Sequence, residues 1–176
     1  MSNIYNLFKF LEKKKGTKTP LKAKLIYTLN EITDEELNVE GDLDLSYSKI
    51  ISLPDNLQVG GDLDLYDTPI TSLPDNLQVG GSLNLMNTPI TSLPDNLQVG
   101  GSLDLRNTKI TSLPNNLSVG RYLDLSNTPI TSLPNNLQVR GYLNLLNTPL
   151  GRKYTENRIK KMIEKKGGYI KGEIYV

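Results

Sequence analysis

The chain has 176 residues and a formal charge of +1, from 20 Lys plus Arg against 19 Asp plus Glu; this length suits one domain or one capped repeat array and leaves little room for a second, catalytic domain. Cysteine, histidine and tryptophan are absent, which removes disulfides, thiolate nucleophiles, the commonest zinc ligands and the usual proton shuttle at neutral pH. No apolar run approaches the roughly 20 residues of a membrane span, and the amino terminus lacks a basic start followed by an unbroken apolar stretch, so the expectation is a cytoplasmic protein with no membrane attachment, no metal and no cofactor.

Charge is unevenly placed: residues 1–39 hold 7 basic and 5 acidic side chains, residues 40–151 hold 5 and 11, and residues 152–176 hold 8 and 3. At the amino end, Ile4, Leu7, Phe8 and Leu11 fall on one helical stripe, Ser2 or Asn3 is placed as an N-cap, and Gly16 is placed as a stop after Lys13-Lys14-Lys15. Beyond Pro20, residues 21–37 read either as a second helix or as a degenerate first coil, because Leu37 and Val39 share register with Leu57 and Val59. Residues 1–36 are assigned as an amino-terminal helical cap.

From residue 37 to 151 the unit Val-Gly-Gly-x-Leu-x-Leu-x-x-Thr-Pro-Ile-Thr-Ser-Leu-Pro-x-Asn-Leu-Gln recurs every twenty residues. Leu63 and Leu65, and their equivalents in each copy, have the period of a strand. Ile70, Leu73, Leu77 and Val79 and their equivalents add further apolar columns. A unit of this size cannot bury so many apolar groups alone, but coils stacked at about 4.8 Å share one continuous core. Pro54, Pro74, Pro94, Pro114 and Pro134 lack an amide donor and mark one corner. The Gly-Gly pairs at 60, 80 and 100 mark another, where positive φ or close approach is expected, and Gly120-Arg121 and Arg140-Gly141 keep one glycine each.

After the repeats, residues 152–176 read as a carboxyl-terminal cap. Thr155 is placed as N-cap, Tyr154 and Ile159 as a hydrophobic staple, Ile159, Met162 and Ile163 on one face, and Gly167-Gly168 as the stop. The alternation of Ile170, Gly172, Ile174 and Val176 predicts an edge strand that closes the last coil.

These features resemble the leucine-rich repeat family, in particular the short twenty-residue Leu-Pro-x-x-Leu type of bacterial effectors and of uncharacterised phage and viral proteins. The resemblance implies a mostly β solenoid of about five to six coils with a helical amino-terminal cap and a helix-plus-strand carboxyl-terminal cap. It also implies a sheet face that carries partner contacts. One position departs from the family: Ser48, Thr68, Thr88, Thr108, Thr128 and Thr148 stand where it usually has asparagine. A stacked hydroxyl ladder is expected to satisfy the turn backbone there.

On the outward side of the Leu-x-Leu segment, Ser46, Tyr66, Met86, Arg106, Ser126 and Leu146 vary on a copied frame, as a recognition surface would. A neighbouring column runs Asp42, Asp62, Ser82, Ser102, Tyr122 and Tyr142, and a third runs Asp44, Asp64, Asn84, Asp104, Asp124 and Asn144. Stacked carboxylates repel, which suggests either a partner with a basic surface or aspartates that keep a sheet from sticking. Tyr66, Met86, Arg106, Tyr122, Tyr142, Leu146, Asp44, Asp64, Asp104 and Asp124 are therefore the candidate partner-binding residues.

The cationic run Arg158, Lys160, Lys161, Lys165 and Lys166 has no aromatic platform and is broken by glutamate, which argues against nucleic acid. The expected function is a non-catalytic protein-binding scaffold, monomeric, with no catalytic residue. A phage or bacterial origin and a host target fit the near-identical coils. The alternatives are a structural or self-assembling solenoid and, more remotely, a hydrolase using paired aspartates such as Asp62 and Asp64.

Overall fold

The computed structural model describes residues 21–27, 32–95 and 97–176; the first expected helix, with Ile4, Leu7, Phe8 and Leu11, lies outside the described residues. The chain winds as a parallel β-solenoid in which each coil gives one two-residue strand to each of two seven-stranded sheets. The valine sheet takes β1 (Asn38–Val39), β3 (Gln58–Val59), β5 (Gln78–Val79), β7 (Gln98–Val99), β9 (Ser118–Val119), β11 (Gln138–Val139) and β13 (Tyr169–Ile170) in that spatial order. The leucine sheet takes β2 (Leu43–Asp44), β4 (Leu63–Asp64), β6 (Leu83–Asn84), β8 (Leu103–Asp104), β10 (Leu123–Asp124), β12 (Leu143–Asn144) and β14 (Ile174–Tyr175). Copies face their own copies, Gln58 with Gln78 and Leu63 with Leu83, so the sequence repeat is the sheet register.

The interior is assembled from the expected apolar columns. Leu63, Leu65, Ile70 and Leu77 are buried, as are their equivalents down the array, and the proline-flanked Leu73 column closes the same core. Burying such a side chain contributes about 1.5–3 kcal/mol, and each coil lends that burial to the one above and the one below.

The two corners are settled by different residues. At the glycine pair the constraint is proximity: a Cβ on Gly80 would stand 2.4 Å from the Gly60 carbonyl oxygen, and one on Gly81 would stand 2.2 Å from Asp62 Oδ1. Positive φ falls elsewhere, on Asp67, Asn87, Asn107, Asn127 and Asn147 in one column and on Asn56, Asn116 and Asn136 in another, all between 53 and 62°. Asparagine tolerates the left-handed region because its short amide can bond locally.

The expected hydroxyl ladder forms at its five threonines and not at Ser48, whose hydroxyl is buried without a partner. Thr68, Thr88, Thr108, Thr128 and Thr148 are buried, and each hydroxyl donates to the carbonyl three residues earlier at 2.6–2.8 Å.

At the amino end the two readings of residues 21–37 both apply. Helix α1 (Leu21–Tyr27) buries Leu25 against the first coil, and Leu37 leads into β1 in register with β3. Lys24 Nζ reaches both Glu36 carboxylate oxygens at 2.7 and 3.0 Å, while Glu36 accepts the Thr33 amide at 3.0 Å. The Lys24 hydrogen bond holds the Glu36 carboxyl below its ordinary range.

At the other end Thr148 caps α2 (Pro149–Lys153) by accepting the Gly151 amide at 2.9 Å, with Pro149 at the favoured first helical position. Helix α3 (Glu156–Lys165) buries Ile159 and Ile163, and Met162 packs partly beside them. Thr155 occupies its N-cap position without a side-chain cap bond. Gly167, at φ 78°, stops the helix while the Gly168 amide returns to the Ile163 carbonyl.

The expected edge strand divides at Gly172 into β13 and β14. Tyr169 pairs with Gln138 and Ile174 with Leu143, so residues 169–175 form one more turn of the repeat. Among the described residues no helix is long and apolar enough to cross a membrane.

Candidate functional site

The period-2 geometry of the leucine sheet points Leu63 and Leu65 inward and Asp62, Asp64 and Tyr66 outward. All ten candidate residues therefore lie along one face. What each does there differs, and the difference separates residues committed to the frame from residues free to meet a partner.

The column from Asp44 to Asn144 is largely a structural device. In every coil its side-chain oxygen accepts the backbone amide two residues on: Ser46 at 2.9 Å, Tyr66 at 2.8 Å, Met86 at 3.1 Å, Arg106 at 3.1 Å, Ser126 at 2.9 Å and Leu146 at 3.0 Å. These are Asx turns, which end the strand and aim the chain at the left-handed residue that follows. Asp104 and Asp124 are 7% exposed, and Asn144 Nδ2 donates to Asp124 Oδ2 at 3.0 Å. Asp44 is open to solvent, and its carboxyl is held below the ordinary range first by the Ser46 hydroxyl and amide and then by Lys22, whose Nζ lies at 3.7 Å. The signal in the sequence was the restriction of this column to Asp and Asn, the two residues that make this turn.

The column from Asp42 changes role along the array. Asp42 Oδ1 accepts the Asp62 amide at 2.8 Å, Asp62 Oδ1 the Ser82 amide at 2.6 Å, and Ser82 Oγ the Ser102 amide at 3.1 Å. Further on, the place of these bonds is taken by rings. Tyr122 and Tyr142 stack with centroids 4.9 Å apart and planes 4° from parallel, and Tyr175 of β14 meets Tyr142 edge-on at 5.6 Å. Burial, then Tyr122 and Asp124, push the Tyr142 hydroxyl above its ordinary pKa. Tyr175 was not among the residues singled out from the sequence: it stands opposite Asn144, in the neighbouring column, and meets Tyr142 only through the register of β14.

In the variable column, Arg106 is held by its own coil: Nε lies 2.9 Å from both Asp104 oxygens and Nη2 2.5 Å from Oδ2, which raises the guanidinium further above its ordinary pKa. Ser126 is buried on Asp124 at 2.7 Å. Tyr66 and Met86 are half-buried, and Leu146 is 43% exposed. Tyr66 meets Tyr47 edge-on at 4.9 Å.

The valine sheet also carries a surface, one that the sequence reading did not single out. Gln58, Gln78 and Gln98 line shallow depressions together with Asn56, Asp75 and Asn76, and Ser118 in place of glutamine widens the next to about 520 Å³ beside Asp95, Asn116 and Arg140. Among the described residues no group of three acidic side chains is placed to hold a metal ion.

No protein-family model matches the sequence, and no curated protein is significantly similar to it.

Proposed function

We propose that the protein is a leucine-rich-repeat-type, non-catalytic scaffold that binds another protein through the outward face of its leucine sheet. The observation that carries the reading is the Tyr122–Tyr142–Tyr175 array: three aromatic rings from successive coils in contact, beside a column whose Asp and Asn side chains are tied to the backbone. Tyrosine supplies large contact area at low entropic cost and is enriched at binding hot spots. The flanking Leu146 and Met86 extend the apolar area, and the Arg106–Asp104 pair gives it a polar, oriented rim. The aspartates that a hydrolase would need are engaged as acceptors of backbone amides, Asp64 from Tyr66 in its own coil and Asp62 from Ser82 in the next, which supports a binding role over catalysis.

The test is a pull-down from host lysate with wild type and with a Tyr122→Ser, Tyr142→Ser, Tyr175→Asn variant, each change copying the residue that the same column carries in another coil. A partner captured by wild type and lost by the variant supports the reading. A partner retained by the variant removes this patch from the interface.

A further inference from the structure

A second patch lies at the opposite end of the same sheet face. The first coil departs from the repeat at Tyr47, Ser48 and Ile51, where later coils carry Asp or Asn, Thr, and Thr. Each departure works against folding. Tyr47 sits at φ 55°, in a region that suits asparagine and strains a bulky side chain. The Ser48 hydroxyl is buried with no hydrogen-bond partner, whereas the five threonines of its column all bond. Ile51 is 65% exposed and Tyr47 70%, in columns otherwise polar. Strain, an orphaned hydroxyl and exposed apolar surface within five residues form the pattern of a site kept for binding at the expense of stability.

The surrounding charge specifies the partner. Residues 40–69 hold seven carboxylates and one lysine, Lys49. Asp42, Asp62 and Asp67 are exposed. Hydrogen bonding to Tyr66, with smaller contributions from Asp67 and Asp64, raises the Tyr47 hydroxyl above its ordinary range. Among the described residues, Lys22 pairs with Asp44. An apolar partner that covered this turn without bringing positive charge would leave the carboxylates unneutralised, while a lysine or arginine would meet both the carboxylates and the open tyrosine faces.

We propose that Tyr47 and Tyr66, which meet edge-on, together with Ile51 four residues along the same coil from Tyr47, form a docking surface for a protein segment in which an apolar side chain is flanked by lysine or arginine. The proposal rests on the reading of the leucine sheet as a protein-binding face, but it uses none of the Tyr122–Tyr142–Tyr175 array, so each patch fails or stands alone.

The experiment selects a displayed library of randomised dodecapeptides on the wild-type protein and measures the enriched peptides by fluorescence anisotropy. The comparison variants are Tyr47→Asn/Ser48→Thr/Ile51→Thr, which restores the repeat, and Tyr122→Ser/Tyr142→Ser. The repaired variant is expected to unfold at higher urea than wild type, so lost binding cannot be misfolding. The expected result is enrichment of apolar residues flanked by Lys or Arg, binding weakened by added salt, and a loss of roughly tenfold or more in the repaired variant alone. Enrichment without basic residues, equal binding by the repaired variant, loss in the Tyr122→Ser/Tyr142→Ser variant, or no enrichment would overturn it. So would self-association of the chain, seen by sedimentation and abolished by Lys160→Glu/Lys161→Glu in α3, which would make a second copy the occupant.

Discussion

The coil that starts at Asp42 and the coil that starts at Tyr122 have the same interior and opposite exteriors. Both bury Leu-x-Leu, an isoleucine and the proline-flanked leucine. Residues 40–69 carry seven acidic side chains to one basic, while residues 100–149 carry two to four. The first coil has a strained Tyr47 and an unpartnered Ser48 hydroxyl; the later coil has Asn127 at the left-handed position and a bonded Thr128. In a stacked array the interior is constrained by two neighbouring copies at once, so it is repeated, whereas the outward positions are constrained only where a side chain bonds the backbone. The contrast shows which outward residues the frame requires and which it merely tolerates.

The largest test of that contrast lies in the core. Leu105→Ala, in the middle of the array and fully buried, should cost about 2–5 kcal/mol by urea unfolding. Leu43→Ala, at the first coil and 6% exposed, should fall at the low end of that range. Equal losses would mean that the end coils are as firmly held as the middle.

The glycine corner gives the next effect. Gly100→Ala would place a Cβ 2.1 Å from the Gly80 carbonyl oxygen and should destabilise by about 1–3 kcal/mol, whereas Gly41→Ala meets nothing within 4 Å and should stay within about 0.5 kcal/mol.

A comparable effect separates the hydroxyls. Thr108→Val strands the buried Leu105 carbonyl lone pair that the hydroxyl serves and should cost about 1–3 kcal/mol, while Ser48→Thr should gain roughly 1 kcal/mol as its hydroxyl finds the Leu45 carbonyl. Tyr47→Asn should also gain roughly 1 kcal/mol by relieving the left-handed backbone. Destabilisation by either first-coil repair would show that the departures serve the fold.

The smallest effect is in pH dependence. Glu36 and Asp44 have carboxyls held below their ordinary range by Lys24 and by Ser46. A depressed carboxyl contributes stability above its unfolded value, about 4, and loses it as pH falls through the lower folded value. Amide exchange in α1 and the first coil should therefore rise earlier on acidification than in the coils around Thr128, and Glu36→Gln should flatten the difference.

The alternation in Leu63-Asp64-Leu65 was enough to place Asp64, Arg106 and Tyr122 outward, because side-chain direction in a strand is set locally. It could not show that Asp104 and Asp124 turn back onto the amides of Arg106 and Ser126, since Asx turns depend on where each two-residue strand ends. The Tyr122–Tyr142 stack was legible as neighbours in one column, but Tyr175 joined it only through the pairing of β14 with β12. The second sheet was visible as the Leu57 and Val59 columns, without the strand pairing that Gln58 and Val59 make.

The sequence by itself determined the twenty-residue coil, its inward columns, the threonine ladder and the helix stop at Gly167, because each follows from periodicity or from the backbone preference of one residue. Only the tertiary structure decided that the glycine pairs serve close approach while asparagines take the left-handed turns, and which outward side chains remain free. Those outcomes depend on distances between coils, which no single coil encodes.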